Sequence, residues 1–419
     1  MLKRTSLFNQ HKKYGAIFGE FGGYEMPLWL KNGAKKEHFA VLLSAGIFDT
    51  SHMSTLLIKG EKSRELLQCL TAKDLNRTTG KDKKPLSNNQ SVYSVYLDEN
   101  GYVIDDTIIF QLDNNRYISV VNASMGEKII QHINKFNNDN IEIIDYTDKI
   151  GKIDLQGILS VKALYNLLKE PSFICDMKYF TFRGSFNENT SNGDKVLTKM
   201  GYPILVSRTG YTGEIGFEIF VDSKYVEDLW ESLLNNTNLE VLPCGLAARD
   251  SLRTGAMLPL SHQDIGNWPF LNNPWTFVLP FNDDKKTFTK KFLGDDALLK
   301  NIGFGEHTYP FLGFDLRKVP SNGGSIVLDN NGEQIGVTLT CVTEPSIDRY
   351  NDRIYCINDS QKPENLNIRG LSCGFVKVKK IMKLGDKIKL SDGKRTIDVE
   401  IVNALRPNLT ARKAITNFL

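Results

Sequence analysis

The most regular alternation of apolar and polar positions lies in the first third of the chain. One of its turns contains Asn100-Gly101, a pair that tolerates positive φ and is typical of hairpins. The pattern predicts a three-stranded antiparallel meander. Its strands are three runs rich in β-branched and aromatic residues: Ser91 to Leu97, Thr107 to Leu112, and Tyr117 to Val121.

Two other segments carry apolar residues at the three- and four-residue spacing of an amphipathic helix. The first begins near Ser124 and Glu127, which are spaced as in a capping box. The second spans residues 224–236. Each of these helices is predicted to cover one face of a sheet.

The texture of the sequence changes after Pro280, from mixed helix and strand patterns to short strands separated by turns. Asp-Asn-Asn-Gly at 329–332 and Ser-Asp-Gly-Lys at 391–394 are such turns. Regular short strands of this kind predict a small all-β barrel or sandwich. We therefore divide the chain into a domain at 1–285 and a β-barrel domain at 286–419.

The composition of the chain limits the kinds of partner and the cellular locations that the protein is expected to have. The 419 residues are 41% hydrophobic, which suits two or three globular units. The 52 Lys and Arg residues nearly balance 49 Asp and Glu residues, so charge favours neither a nucleic-acid nor an anionic-membrane partner. The chain has no apolar run of about 18 residues, and its N-terminus lacks the apolar core of a secretory signal. We expect a cytoplasmic protein, or one of the mitochondrial matrix if the chain is a processed eukaryotic protein.

Two adjacent carboxylates, Asp105 and Asp106, follow the Asn-Gly turn. Successive side chains of a strand point to opposite faces, so only one of the two is expected to face a pocket. The alternative is that both residues end a turn and have no chemical role.

Glu218 lies inside an apolar run, and a buried carboxylate requires hydrogen-bond donors. A ligand with neighbouring N–H groups is one source of donors; an ion pair with Arg249 is another. His52 follows Asp49, which could orient it as a base, but a hydrogen-bonded structural histidine is the favoured interpretation.

Several kinds of chemistry find no support in the sequence. The six histidines show neither H-x-x-x-H nor H-E-x-x-H spacing, so no metal site is expected. Phosphate-binding glycine loops and a nucleophile elbow are also missing from the sequence.

Six ordered motifs together resemble the aminomethyltransferase (T-protein) family of the glycine cleavage system. The resemblance implies an α+β fold: a folate-binding core of interleaved antiparallel α/β subdomains around a central opening, followed by a small C-terminal β-barrel. The motifs are Phe21 to Pro27, Gly46 to Met53, Asn100 to Asp106, Val120 to Ala123, Ser207 to Glu218, and Gly245 to Arg253.

In this family the aminomethyl group on the lipoyl arm of H-protein passes to tetrahydrofolate, which yields 5,10-methylenetetrahydrofolate and ammonia. The resemblance implies that Asp106 is the catalytic carboxylate and that Glu218 recognises the pterin. Further folate contacts are implied at Tyr93, Asn122, Tyr179, Tyr211 and Arg249.

The sequence departs from the family pattern on the donor side. Thr254-Gly255 and the segment Leu258 to Phe270 lack the usual residues, and Tyr102 replaces a glycine. Two alternatives therefore stay open: a folate-dependent methyltransferase or demethylase with a small methylated donor, and a non-enzymatic folate-binding protein. Retention of Asp106 favours an enzyme, because simple binding does not require that carboxylate.

Overall fold

The computed structural model describes residues 1–78, 83–235 and 238–419. No helix in these ranges is long and apolar enough to cross a membrane. The helices of the same ranges are α1 (Phe8–Lys13), α2 (Ala34–Leu43), α3 (Ser63–Leu70), α4 (Gly126–Asn134), α5 (Ser160–Leu167), α6 (Val226–Leu234), α7 (Leu246–Gly255) and α8 (Asp295–Lys300). Short 3-10 helices occur at Thr147–Lys149, Ser172–Asp176, Glu188–Thr190, Ser223–Tyr225, Thr276–Val278 and Ile415–Phe418.

The strands form sheets in both halves of the chain. They are β1 (Ile17–Phe21), β2 (Tyr24–Trp29), β3 (Ala45–Asp49), β4 (Ser54–Lys59), β5 (Gln90–Leu97), β6 (Val103–Asp113), β7 (Arg116–Val121), β8 (Glu142–Asp145), β9 (Ile150–Gln156), β10 (Phe182–Gly184), β11 (Ile204–Ser207), β12 (Gly216–Asp222), β13 (Val241–Cys244), β14 (His307–Gly313), β15 (Ile326–Leu328), β16 (Gln334–Glu344), β17 (Ile347–Tyr350), β18 (Arg353–Cys356), β19 (Leu371–Val378), β20 (Lys387–Ser391) and β21 (Thr396–Ile401).

The predicted meander is confirmed as β5, β6 and β7 of a five-stranded antiparallel sheet with strand order β5-β6-β7-β4-β8. Strand β6 begins earlier than expected, because its pairing with β5 continues to Leu97 and Val103. Asp105 and Asp106 therefore lie within the strand, opposite Tyr96 and Val95. The interpretation of these two residues as the end of a turn is wrong.

Helix α4 packs Ile129 and Ile133 into the core of this sheet, as predicted. The predicted capping box is wrong. Ser124 has a φ of +61° and its hydroxyl donates to the carbonyl of Gly22 at 2.6 Å, so it does not cap the helix, which begins at Gly126.

A six-stranded sheet with order β10-β11-β12-β9-β3-β13 forms the second layer. Its strands pair antiparallel, except that β13 is parallel to β3. Helices α5 and α6 cover one face, where Trp230 is fully buried, and α6 confirms the second predicted helix. The opposite face meets the five-stranded sheet: the ring of Phe110 lies 5.5 Å from that of Phe182 and 5.8 Å from that of Phe220.

The C-terminal part closes into a six-stranded barrel with order β14-β19-β16-β15-β20-β21, which confirms the predicted barrel and the α+β fold class. Arg253 of α7 donates to the hydroxyl of Thr340 in β16 at 3.0 Å, and Arg406, which follows the last barrel strand, lies 3.2 Å from Glu214 of the core. These buried contacts tie the barrel to the core. The first barrel strand begins at His307, so the domain boundary at 285 stays a prediction.

Candidate active site

The central feature of the site is an acid pair, Asp105 and Asp106. The side-chain amide nitrogen of Asn122 lies 2.7 Å from Oδ1 of Asp105 and 2.6 Å from Oδ1 of Asp106, and the backbone N–H of Asn122 donates to Asp105. Asp105 is fully buried and Asp106 only partly, so the expectation that only one carboxylate faces a pocket stays a prediction. Asn122 follows the last residue of β7, beyond the pairing with β6, and from there its amide reaches both carboxylates.

The surroundings of Asp106 bring the pKa of its carboxyl group close to neutral pH. Burial, and then the charge of Asp105, raise its pKa to about 7. Hydrogen bonds from Asn122 and from the hydroxyl of Tyr93, which donates to Oδ2 at 2.8 Å, oppose this rise. Burial also raises the pKa of Tyr93, so its phenol stays protonated and donates. Asp106 can therefore change protonation state near neutral pH.

The turn after α7 supplies two further contacts to the acid pair. The hydroxyl of Ser261 donates to Oδ1 of Asp105 at 2.8 Å, and Nε2 of His262 lies 3.4 Å from the same oxygen. Asp105 is fully buried, whereas 45% of the His262 side chain is exposed. The divergent segment Leu258 to Phe270 thus lines the acid pair.

A second polar group, the ion network, is built from Lys152, Asp154, Glu218 and Arg249. Alternation along β9 and β12 sends their apolar residues to α5 and α6 and these polar residues to the opposite face. The Lys152 ammonium contacts Glu218 directly and lies 2.8 Å from Asp154, which pairs with Arg249 at 2.7 Å. A direct Glu218–Arg249 pair is wrong, because Lys152 and Asp154 stand between them.

The charges of the ion network compensate one another. Burial works against the ionised form of Asp154, but Lys152 and Arg249 outweigh it and hold the pKa well below its usual range. Burial likewise opposes the charge of Lys152, and Asp154 and Glu218 raise its pKa. Glu218 also accepts a hydrogen bond from the hydroxyl of Thr209. Lys152 and Asp154 therefore stay charged at neutral pH.

Tyr211 lies between the two groups. Its ring is 4.9 Å from the Arg249 guanidinium, and its hydroxyl donates to the carbonyl of Pro259. Burial raises the pKa of this phenol, and the negative charge of Asp106 acts in the same direction. Tyr211 thus contacts the ion network through Arg249 and the segment that reaches the acid pair through Pro259.

Tyr179 stands apart from both hydrogen-bonded groups. Its ring contacts the Arg412 guanidinium at 5.3 Å and the ring of Phe180 at 4.8 Å. Burial raises its pKa, while the charge of Arg412 acts against this rise and that of Glu218 adds to it.

The expectation that Asp49 orients His52 is wrong. Asp49 accepts a hydrogen bond from Thr5 at 2.6 Å and pairs with His11 at 2.8 Å, which leaves it committed elsewhere. His52 is buried beside Phe21, and its Nδ1 finds no hydrogen-bond partner among the described residues. Burial lowers the pKa of His52 to about 4, so the ring is neutral.

Four residues of the site were missed by sequence reasoning. Lys152 and Asp154 alternate with Ile153 and Leu155 in an apolar strand, and this pattern of buried charges was a usable signal. Ser261 and His262 gave no comparable local signal, because their role depends on a distant strand.

The comparisons with known proteins agree with the motif resemblance. The family model described as the GCVT N-terminal domain matches residues 7–268. The chain is 33% identical over 351 residues to an aminomethyltransferase of Geobacillus sp. (strain WCH70), which covers 83% of the chain and 88% of that protein. It is 35% identical over 356 residues to an aminomethyltransferase of Symbiobacterium thermophilum, again over 83% and 88%.

A solved structure extends this similarity to the whole chain. The crystal structure of glycine cleavage system aminomethyltransferase T from Bartonella henselae matches with a TM-score of 0.75 and 25% identity, over 99% of both chains. The fold, the barrel and the family model therefore agree. The chain belongs to the aminomethyltransferase (GCVT) family of the glycine cleavage system T-proteins.

Proposed function

We propose that this aminomethyltransferase takes the aminomethyl group from the lipoyl arm of an H-protein and transfers the one-carbon unit to tetrahydrofolate. The products are 5,10-methylenetetrahydrofolate and ammonia. The named relatives, both aminomethyltransferases, support this donor over a small methylated amine and over a non-enzymatic binding role.

One observation carries the proposal: Asp106 is held between Tyr93 and Asn122, with a pKa raised to about 7 by burial and by Asp105. As a carboxylate it can accept a hydrogen bond, and then the proton, from an attacking amine. Its negative charge also stabilises the positive charge that develops as ammonia leaves. Tetrahydrofolate supplies the two nitrogens that accept the one-carbon unit.

The remaining residues fit a reduced pterin. Glu218 accepts from Lys152 at one oxygen and from Thr209 at the other. A carboxylate offers about four acceptor positions, so two remain for neighbouring N–H groups of a pterin ring. Because Lys152 and Thr209 hold the Glu218 carboxylate in place, such N–H donors meet a preorganised acceptor.

Aromatic side chains provide the flat surfaces that a conjugated ring prefers. We assign Tyr93 and Tyr211 to the region between the acid pair and the ion network, and Tyr179 to the Glu218 side. Arg249 and Asn122 add directional polar contacts at either end. Arg249 stacks against Tyr211 at 4.9 Å while it pairs with Asp154, so one side chain links ring recognition to the ion network.

The test is a product assay with purified protein, tetrahydrofolate and H-protein that carries the aminomethyl group. We expect ammonia and 5,10-methylenetetrahydrofolate in equal amounts. H-protein without its lipoyl group is the matched control and should give neither product. Normal folate binding without methylenetetrahydrofolate formation would contradict the proposal, and product formation from methylated amines or sulfonium compounds would favour a different donor.

A further inference from the structure

The turn at Ser261 and His262 is rigidly built. Its backbone is fixed by Asp264, whose carboxylate accepts from the N–H of Leu260 at 3.0 Å, from Arg253, and from the hydroxyl of Thr340 at 2.6 Å. Asp264 is fully buried between α7 and the barrel. The position of His262 is therefore set by a buried ion pair and by a barrel strand.

His262 adopts a backbone conformation that side chains rarely take, with a φ of +65°. A residue other than glycine in this region is disfavoured and persists where the surrounding structure over-determines it. The conformation directs the imidazole to Asp105, where Nε2 lies 3.4 Å from Oδ1. Strain in contact with the acid pair points to a function for this side chain.

His262 is the side chain that can bring a positive charge to the acid pair, because the neighbouring tyrosines are neutral and the nearby arginine is already paired. Tyr93 and Tyr211 face Asp106 and are neutral, because burial raises the pKa of both phenols. The guanidinium of Arg253 is already paired with Asp264 and with Asp250. His262 contacts the acid pair and its charge acts on Asp106 against the effect of Asp105.

We propose that His262 is a positioning residue that, in its imidazolium form, compensates the buried charge of Asp105 and thereby favours the carboxylate form of Asp106 that turnover requires. The inference rests on the proposed function of Asp106. Two carboxylates that share one amide cannot both remain charged at low cost, and a cation beside one of them favours ionisation of the other.

The first test needs no substrate. Protein labelled with ¹³C at the aspartate carboxyl carbons is titrated by NMR, with the Asp106→Asn variant to assign the signal of Asp106. We expect the Asp106 midpoint to rise by about one pH unit in His262→Gly, which relieves the backbone strain, and in His262→Asn, which tolerates positive φ. His307→Asn, at the start of the barrel, is the control and should leave the midpoint unchanged. An unchanged midpoint in both His262 variants overturns the inference.

The second test is the dependence of kcat on pH with H-protein and tetrahydrofolate. In both His262 variants the acidic limb is expected to move to higher pH by about one unit, so that turnover at pH 7 falls about fivefold. The plateau kcat and the KM for folate should stay within about twofold. A lower plateau without movement of the limb indicates a merely structural role and overturns the inference. A wild-type protein that forms no product contradicts the proposed function alone, since the NMR midpoints are measured without turnover.

Discussion

Two groups of buried carboxylates lie on facing sheets of this protein and differ in the charged and polar groups that surround them. In the acid pair, Asp106 meets another carboxylate and neutral donors, and its pKa is raised to about 7 by burial and by Asp105. In the ion network, Asp154 meets the cations of Lys152 and Arg249, which hold its pKa below the usual range. Similar side chains thus acquire opposite properties from their neighbours.

The difference in pKa distinguishes a carboxylate that can take part in catalysis from one that mainly stabilises the fold. A carboxylate that titrates near neutral pH can exchange a proton during turnover, whereas one clamped by two cations is a fixed charge. We therefore expect substitutions in the acid pair to lower the rate with little effect on stability. Substitutions in the ion network should lower stability first.

The largest effect is expected for Asp154→Asn. It leaves Lys152 and Arg249 without their shared anion in a buried site, and breaking such a pair typically costs about 3–5 kcal/mol. The free energy of unfolding by urea should fall by this amount. Asp222→Asn is the control, because Asp222 lies in the same sheet but pairs with Lys224 at the surface and should change stability little. Equal losses in the two variants would contradict the distinction.

The next largest effect is expected for Asp106→Asn. The amide cannot accept a proton or stabilise a developing cation, so kcat should fall about 10²-fold or more. Folate affinity should stay within about tenfold and the unfolding temperature should not fall, because the change removes one of two like charges. Asp113→Asn is the matched control: Asp113 lies at the far end of the same strand and pairs with Arg116. A variant as active as the wild type would show that Asp106 is not the catalytic carboxylate.

The pH dependence of turnover follows from the raised pKa of Asp106. Above about pH 7 the group is a carboxylate, and below it the carboxylate fraction decreases about tenfold for each pH unit. We expect kcat to fall by roughly that factor per unit between pH 7 and pH 5. Asp154 remains charged throughout this range, because its lowered pKa lies far below it. A constant kcat down to pH 5.5 would show that Asp106 does not titrate in the working site.

Much of the fold could be predicted from the sequence because its signals are local. The meander from Ser91 to Val121 and the helix at Val226–Leu234 follow from alternation and helical spacing, and the barrel follows from short strands with regular turns. The capping box failed for a reason outside the local sequence. The hydroxyl of Ser124 is taken by Gly22, a residue about one hundred positions away, and no helix pattern predicts that contact.

The candidate site could be predicted from the sequence only in part. Tyr93 and Asp106 lie on neighbouring strands, Asn122 directly follows the next strand, and the structure brings the three residues together. The residues next to Glu218 in the sequence do not predict which side chain pairs with it. Lys152 reaches it only because β9 and β12 pair, with Asp154 opposite Glu218 in the register. His262 depends still more on distant residues, since its turn is fixed by a barrel strand.

The smallest effect, and the finest probe of the acid pair, is expected for Tyr93→Phe. The hydroxyl of Tyr93 donates to Oδ2 of Asp106 at 2.8 Å and lowers its pKa, so loss of the bond should raise that pKa further. Turnover at pH 7 should fall about threefold to tenfold, equivalent to about 1 kcal/mol, the usual contribution of one hydrogen bond. At pH 8.5 the variant should approach the wild type.

The chain contains a matched control for this change. Tyr96 lies on the same strand and is fully buried, but its hydroxyl contacts Ser119 at 3.0 Å instead of the acid pair. Tyr96→Phe removes the same atom from a similar environment and should leave the pH profile of kcat unchanged. If both tyrosine variants lose activity equally at every pH, the effect is general packing, and the special character assigned to Asp106 cannot depend on the hydrogen bond from Tyr93.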